Sequence, residues 1–368
     1  MAEQFLFKDV FHEANLRVLA ETVQGNYEAF DVEAFLSYVF VDFEDLSLSE
    51  RSSRIASALK QFIAVDFAEA CGVLMAGFGE PLVDEDLGHH AAFIYMPLAE
   101  FVARNGLQEF EVSMKTLYEI TRRFTSEFAI RHFLIAEPER TLAQLHLWVA
   151  DPCQHVRRLV SEGSRPRLPW SMKLQPFIDD LEPVLELLSL LKDADERYVQ
   201  RSIANNLNDI AKDHTDKVVE TLLAWESEGW RNNWLKKHAL RSLLKSGHRG
   251  ALAALGFVAD GVECSSIRLA NSKIDLGESL EFSFDLSASE KSKVMVDFIV
   301  HHVKANGKLS PKVFKLKSCE FVGEMSFSKK HPMRLITTRK YYTGRHLLEV
   351  QVNGRVLSSC EFYLNCKL

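Results

Sequence analysis

"VRRLVSE", residues 156–162, lies without a gap over "TRRFTSE", residues 121–127, at a spacing of 35 residues. The same frame returns in "VQRSIAN" (199–205) and again in "LKKHALR" (235–241). Amphipathic segments recurring at this period are the signature of stacked helical hairpins, each burying its apolar face on the next, as in a HEAT-like solenoid. Within "HVRRLVSEG" the apolar stripe is Val156, Leu159 and Val160, which sets Arg158 and Glu162 together on the opposite, polar face. The frame pairs Arg123 with Glu127, Arg201 with Asn205 and Lys237 with Arg241 in the same way. Equivalent helices of neighbouring repeats pack about 8–10 Å apart. The repeat therefore predicts a ladder across one surface: Glu127, Glu162, Asn205, Arg241.

Outward from this core, residues 1–258 read as helical, with apolar positions three and four apart in "FDVEAFLSYVF", "RIASALKQFI" and "LEPVLELLSLL". After Gly256 the period becomes two. "SLEFSFDLSA", "KVMVDFIVHHV" and "HLLEVQV" alternate, with Asn306-Gly307 and Asn353-Gly354 as hairpin signals between such runs. Residues 261–368 are thus expected to form a small antiparallel β-sandwich of immunoglobulin-like kind, and the junction belongs in "GFVADGVE", 256–263. The fold class is multidomain, α then β.

The whole chain carries a formal charge of −7, unevenly spread. Residues 1–110 hold 6 basic and 19 acidic side chains, whereas residues 261–368 hold 17 and 11; the global charge argues against a polyanionic partner, while this split permits one for the later two-thirds. No apolar run approaches the roughly 20 residues of a membrane span. The first residues have no export design, which leaves a monomer in the cytoplasm, on nucleoid DNA, as the expectation. The six cysteines are scattered without a CxxC pair, and His89-His90 and His301-His302 lack partner spacing. Neither a metal nor a disulfide frame is expected, and no phosphate loop or nucleophile elbow points to a cofactor or an acyl enzyme.

The chemistry concentrates on the predicted ladder. Arg157, Arg158, Arg165 and Arg167 surround Glu162 in a stretch that ends at Trp170. Glu127 and Glu162 fall at equivalent places on neighbouring repeats, which suits two carboxylates around one reaction centre. "SIANNLNDIAKDH" sets Asn205, Asn208, Asp209 and Lys212 on one helical face, and Lys237, Arg241 and Lys245 form a cation stripe at i, i+4 and i+8. Like charges so spaced repel, so the stripe implies an anionic partner such as a phosphate backbone. A protein-binding scaffold and a DNA binder without catalysis are the alternatives. The first expects an apolar inner face, and the second has no use for paired glutamates.

"HVRRLVSEGSRPRLPW" (155–170), "YVQRSIANNLNDIAKDH" (198–214) and "HALRSLLKSGHRGALAALGF" (238–257) resemble the AlkC-type DNA alkylation-repair glycosylases, relatives of the AlkD type. The resemblance is specific over about residues 110–258. It implies a monofunctional glycosylase that frees cationic N3-methylated bases, 3-methyladenine and 3-methylcytosine, from duplex DNA without a deep base pocket. It further implies Glu162 and Glu127 as the acids facing the sugar, with Arg123, the flanking arginines and Trp170 holding the distorted duplex. The C-terminal part is similar to the immunoglobulin-like domain of one branch of that family. Its cations in "FSKKHPMRLITTRKYYTGR" (327–345), namely Lys329, Lys330, Arg334, Arg339 and Lys340, are the expected contacts of a DNA clamp.

Overall fold

The computed structural model describes residues 6–82, 90–257, 261–336 and 339–366. His89, and residues 258–260 of the expected junction at 256–263, lie outside them. Among the described residues, sixteen α-helices from Glu13–Asn26 to Arg249–Ala254 come first and seven strands follow. None of those helices is long and apolar enough to cross a membrane. The chain forms two compact units, one of Met1–His214 with Ala224–Ala239, the other of Thr215–Leu223 with Leu240–Leu368.

In the first unit the helices Phe110–Thr121, Gln154–Gly163, Arg197–Ile210 and Asn233–Ala239 lie side by side as one layer. Helices Pro138–Trp148 and Glu182–Leu191 back them as a second layer, each with a proline in its first turn, where the missing N–H costs nothing. The predicted stripe of Val156, Leu159 and Val160 is fully buried between the layers, as are Val199, Ile203 and Leu207, at i, i+4 and i+8, one helix on.

Two predicted features fold differently. "TRRFTSE" is not a helix: Phe110–Thr121 ends there, and the chain turns before the next helix, Ile130–Ala136. Thr121 and Ser126 both donate to the Leu117 carbonyl, at 2.6 and 3.1 Å, and these local bonds compete with the helical ladder. Likewise Lys237, Arg241 and Lys245 do not share one continuous helix. Asn233–Ala239 stops, Leu240 sits at φ −82° and ψ 0°, and Arg241–Ser246 starts afresh.

The second unit holds strands β1 (Val262–Cys264), β2 (Arg268–Leu269), β3 (Lys273–Asp275), β4 (Ser279–Val303), β5 (Leu309–Pro332), β6 (Gly344–Val352) and β7 (Arg355–Asn365). Their order is β1-β4-β6-β7-β3, with β2 and β5 also on β4. Every pairing is antiparallel except β3 with β7. Phe282, Phe284, Phe298, Val300, Leu348 and Phe362 fill the core. Both Asn-Gly turns form. Asn353 and Gly354 have φ of 45° and 78°, the positive pair that a type I′ hairpin turn needs.

That turn also meets the end of helix Arg241–Ser246. A Cβ at Gly354 would stand 2.1 Å from the Gly247 carbonyl oxygen, so only two glycines admit the approach. Gly354→Ala is expected to cost at least about 2 kcal/mol through positive-φ strain and overpacking. Gly277→Ala, which has φ 108° but nothing within 4 Å of its Cβ, isolates the strain. Equal losses in urea midpoint at the two sites would show that the approach is loose.

Candidate catalytic face

Helix Gln154–Gly163 ends on a glycine because it presses against its neighbour: a Cβ at Gly163 would meet Ile130 Cγ2 at 2.5 Å. The approach seats the preceding residue, Glu162, between helices, only 6% exposed. Its Oε1 accepts from Arg165 Nη1 at 2.5 Å, and its Oε2 accepts from Ser202 Oγ, also at 2.5 Å. Arg158 Nη2 stands 3.9 Å from Oε1. Burial by itself would push this carboxyl up. The guanidinium charges of Arg158 and Arg165 and the two hydrogen bonds outweigh it and hold the group below the usual carboxylate range, so it is ionised at neutral pH.

Glu127 reaches the same place from the turn. Arg158 donates to both of its oxygens, at 3.1 and 3.4 Å, and to Thr125 Oγ1 at 3.1 Å, while its guanidinium lies 5.1 Å over the Tyr198 ring. On the other side Arg165 Nε donates to Asp209 Oδ2 at 2.7 Å, and Lys212 Nζ donates to Asp209 Oδ1 at 2.7 Å. The result is a row of alternating charge: Glu127, Arg158, Glu162, Arg165, Asp209, Lys212. Glu127, Glu162, Arg165 and Asp209 are all buried. The open polar face expected from the sequence is therefore covered, because helix Arg197–Ile210 lays Ser202 and Asp209 against it.

The expected i,i+4 pairing of Arg123 with Glu127 is absent, since the helix has ended. Arg123 instead holds Glu119 at 2.6 Å and donates to the Gly79 carbonyl. Arg157, Arg158, Arg165 and Arg167 are likewise matched by acids distant in sequence. Arg157 binds Glu196, and Arg167 holds Asp213 in a two-pronged bond at 2.5 and 2.7 Å. Asn208 is buried and Asn205 half-buried; Lys237 and Lys245 are exposed and Arg241 half-buried. Trp170 is 91% exposed, at φ 63°. On β5, Lys329 is exposed and Lys330 pairs with Glu281 at 2.7 Å; Arg334 and Lys340, between β5 and β6, are exposed. Arg339, half-buried, donates from Nη1 to His302 Nε2 at 2.5 Å.

The family described as "Uncharacterised protein YhaZ, C-terminal Ig-like domain" matches residues 263–366. A protein of Bacillus subtilis (strain 168), "Uncharacterized protein YhaZ", is 34% identical over 359 residues, 96% of this chain and 98% of its own. The solved structure of Pseudomonas fluorescens alkylpurine DNA glycosylase AlkC, bound to DNA containing an abasic site analog, is 36% identical. It covers 98% of this chain and 100% of its own, at a TM-score of 0.85. The chain belongs to the AlkC family.

Within this AlkC-family fold, sequence reasoning overlooks Ser202, Tyr198, Thr125 and Arg131. Ser202 stands three residues before Asn205 on the same helix, near enough to be found from the ladder. Arg131 has a plain signal: one charge inside "AIRHFLIA", an otherwise apolar run apart from its histidine. Thr125 lies in the turn that the repeat frame presents as helix, so no helical face could show it.

Proposed function

We propose that this chain is a DNA glycosylase of alkylation repair, freeing cationic N3-alkylated bases, 3-methyladenine and 3-methylcytosine, from duplex DNA. The likeness to AlkC over 98% of the chain carries the reading. The charged row supports the following route. An N3-alkylated base leaves as a neutral molecule when its glycosidic bond breaks, taking the bonding electrons and leaving an oxocarbenium ion on the sugar. Water then adds to C1′ and gives up a proton, so the step needs negative charge near C1′ and an oriented water rather than a strong acid. The Glu162 carboxylate supplies a fixed negative charge, and Glu127 stands on the far side of the shared Arg158. Each oxygen that already accepts one hydrogen bond keeps a second lone pair for water.

The glycosylase part is assigned to residues 1–258, and the Ig-like part, 261–368, to closing around the duplex. Trp170, standing clear of the surface, is suited to the minor groove at the lesion. An apolar cavity of the helical unit, about 250 Å³ among Val18, Leu74, Phe78, Tyr95 and their neighbours, includes no residue of the charged row. Incubating the protein with methylated duplex DNA and analysing the released bases by mass spectrometry tests the reading. Free 3-methyladenine and 3-methylcytosine over an unbroken abasic strand are expected, and no free base above an enzyme-free control would sink it.

Phosphate attraction is assigned to Lys237, Arg241 and Lys245 and to Lys329, Lys330, Arg334 and Lys340. Replacing Lys237, Arg241 and Lys245 by Ala is expected to weaken binding to damaged and undamaged duplexes alike. The slope of log affinity against log salt should flatten by about 0.9 for each phosphate that is no longer neutralised. Lys329, Lys330, Arg334 and Lys340, changed together, should do the same for the strand-rich part. Unchanged affinity at two salt concentrations would place either set away from DNA.

A further inference from the structure

Arg131, the second residue of helix Ile130–Ala136, is 0% exposed. Its Nη1 donates to the carbonyls of Gly163 and Arg165, at 2.9 and 2.6 Å. Its Nε and Nη2 both donate to the Met172 carbonyl, at 3.2 and 2.5 Å. Among the described residues no carboxylate lies within ion-pair distance of it. Burial first, and the charge of Arg165 second, draw its pKa down to about 10, against the opposite pull of Asp209 and Glu162. A cation held in such a place is costly, and a methionine would fill the volume without that cost.

The three carbonyls account for it. Gly163 follows Glu162 and closes its helix. Arg165 is the residue that ties Glu162 to Asp209. Met172 lies two residues past Trp170. One guanidinium thus holds both feet of the segment from 163 to 172. The loop's further ties are Arg167 to Asp213, at 2.5 and 2.7 Å, Asn206 Nδ2 to Ser164 Oγ at 3.3 Å, and two main-chain bonds, Ser171 N to the Leu168 carbonyl at 3.3 Å and Leu174 N to the Pro166 carbonyl at 3.1 Å. On this loop Trp170 keeps a left-handed backbone while almost wholly exposed, a conformation that a non-glycine residue holds only where its surroundings fix it.

We infer that Arg131 is a positioning residue: it sets the 163–172 loop so that Trp170 stands out toward DNA and Arg165 meets Glu162 and Asp209. Arg131 itself touches no substrate. Its functional side rests on the glycosylase reading, whereas its hold on the loop does not.

The test uses the full chain with Arg131→Met and Arg131→Lys, and two measurements. Amide hydrogen exchange at Ser171 and Leu174 reads the loop alone. In Arg131→Met it should rise about tenfold or more, as expected for losing charge-assisted bonds, with exchange in helix Glu182–Leu191 unchanged. Arg131→Lys, whose ammonium cannot span three carbonyls, should fall between. Single-turnover base release should drop in the same order while affinity for undamaged duplex holds. Unchanged exchange at Ser171 and Leu174, or an equal rise throughout the helical unit, overturns the inference. Raised loop exchange with wild-type base release overturns its functional half. Wild-type protein that releases no base defeats the glycosylase reading instead, and the exchange data still decide the hold on the loop.

Discussion

Glu162→Gln is expected to slow base release by about a hundred- to a thousandfold, the loss typical of removing one preorganised electrostatic group. Duplex affinity should stay nearly unchanged. The amide keeps the size of the side chain and can still meet Ser202 and Arg165, and Arg165 retains Asp209, so the row loses a charge without losing its scaffold. What disappears is the fixed negative charge that the sugar needs as it becomes cationic. Glu127→Gln should act in the same direction, because it removes the acid across Arg158. Single-turnover excision with matched binding curves separates chemistry from affinity. Wild-type excision in both variants would remove the two glutamates from the reaction and leave the row as a structural device.

Arg165→Met should have the largest effect on stability. Arg165 neutralises Glu162 and Asp209 together, at 2.5 and 2.6 Å, and both acids are buried. Removing one partner of a buried ion pair typically costs about 3–5 kcal/mol, and Arg158, still near Glu162, places the expectation at the lower end. The pH dependence should also change sign. In the wild type the lowered pKa of Glu162 makes a stabilising contribution that is present above about pH 4.5 and is lost as the pH falls through the folded-state value. In the variant, burial without Arg165 favours the protonated acid, so the deficit against wild type should shrink on acidification from pH 7 toward 5. Urea midpoints of both proteins at the two pH values check this. A deficit independent of pH would mean that packing rather than charge makes Arg165 matter.

Local pattern makes much of this legible. The switch from a period of three and four to a period of two, the two Asn-Gly turns and the buried stripe of helix Gln154–Gly163 all follow from neighbours in sequence. Glu162 is legible for the same reason, since it sits at a fixed offset from that stripe. Glu127 follows from a frame that treats its segment as a helix, yet it lies in a turn; its approach to Arg158 is tertiary. The partners of the arginines are hidden because Glu196, Asp209 and Asp213 lie about forty residues or more away from them. A run of cations in sequence looks like a surface for phosphate, and only folding shows that acids from other segments meet it. The partners of Arg131 are hidden differently: they are carbonyls, and every residue type carries one.

Strand β4 runs for 25 residues and is paired with β1, β2, β5 and β6. That single fact bears on how the strand-rich part comes into being. The β4–β5 hairpin closes at Asn306-Gly307 and can zip locally within about 1–10 μs. β1 and β6 then dock on opposite stretches of the same strand, β6 from some fifty residues away along the chain. Such distant pairings close slowly because the chain must be gathered before any pairing rewards it. Half of the part cannot persist alone, since each half is lined by the same β4. The sandwich should therefore appear in one late step, with the hairpin exposed as an unsheltered ribbon until it does.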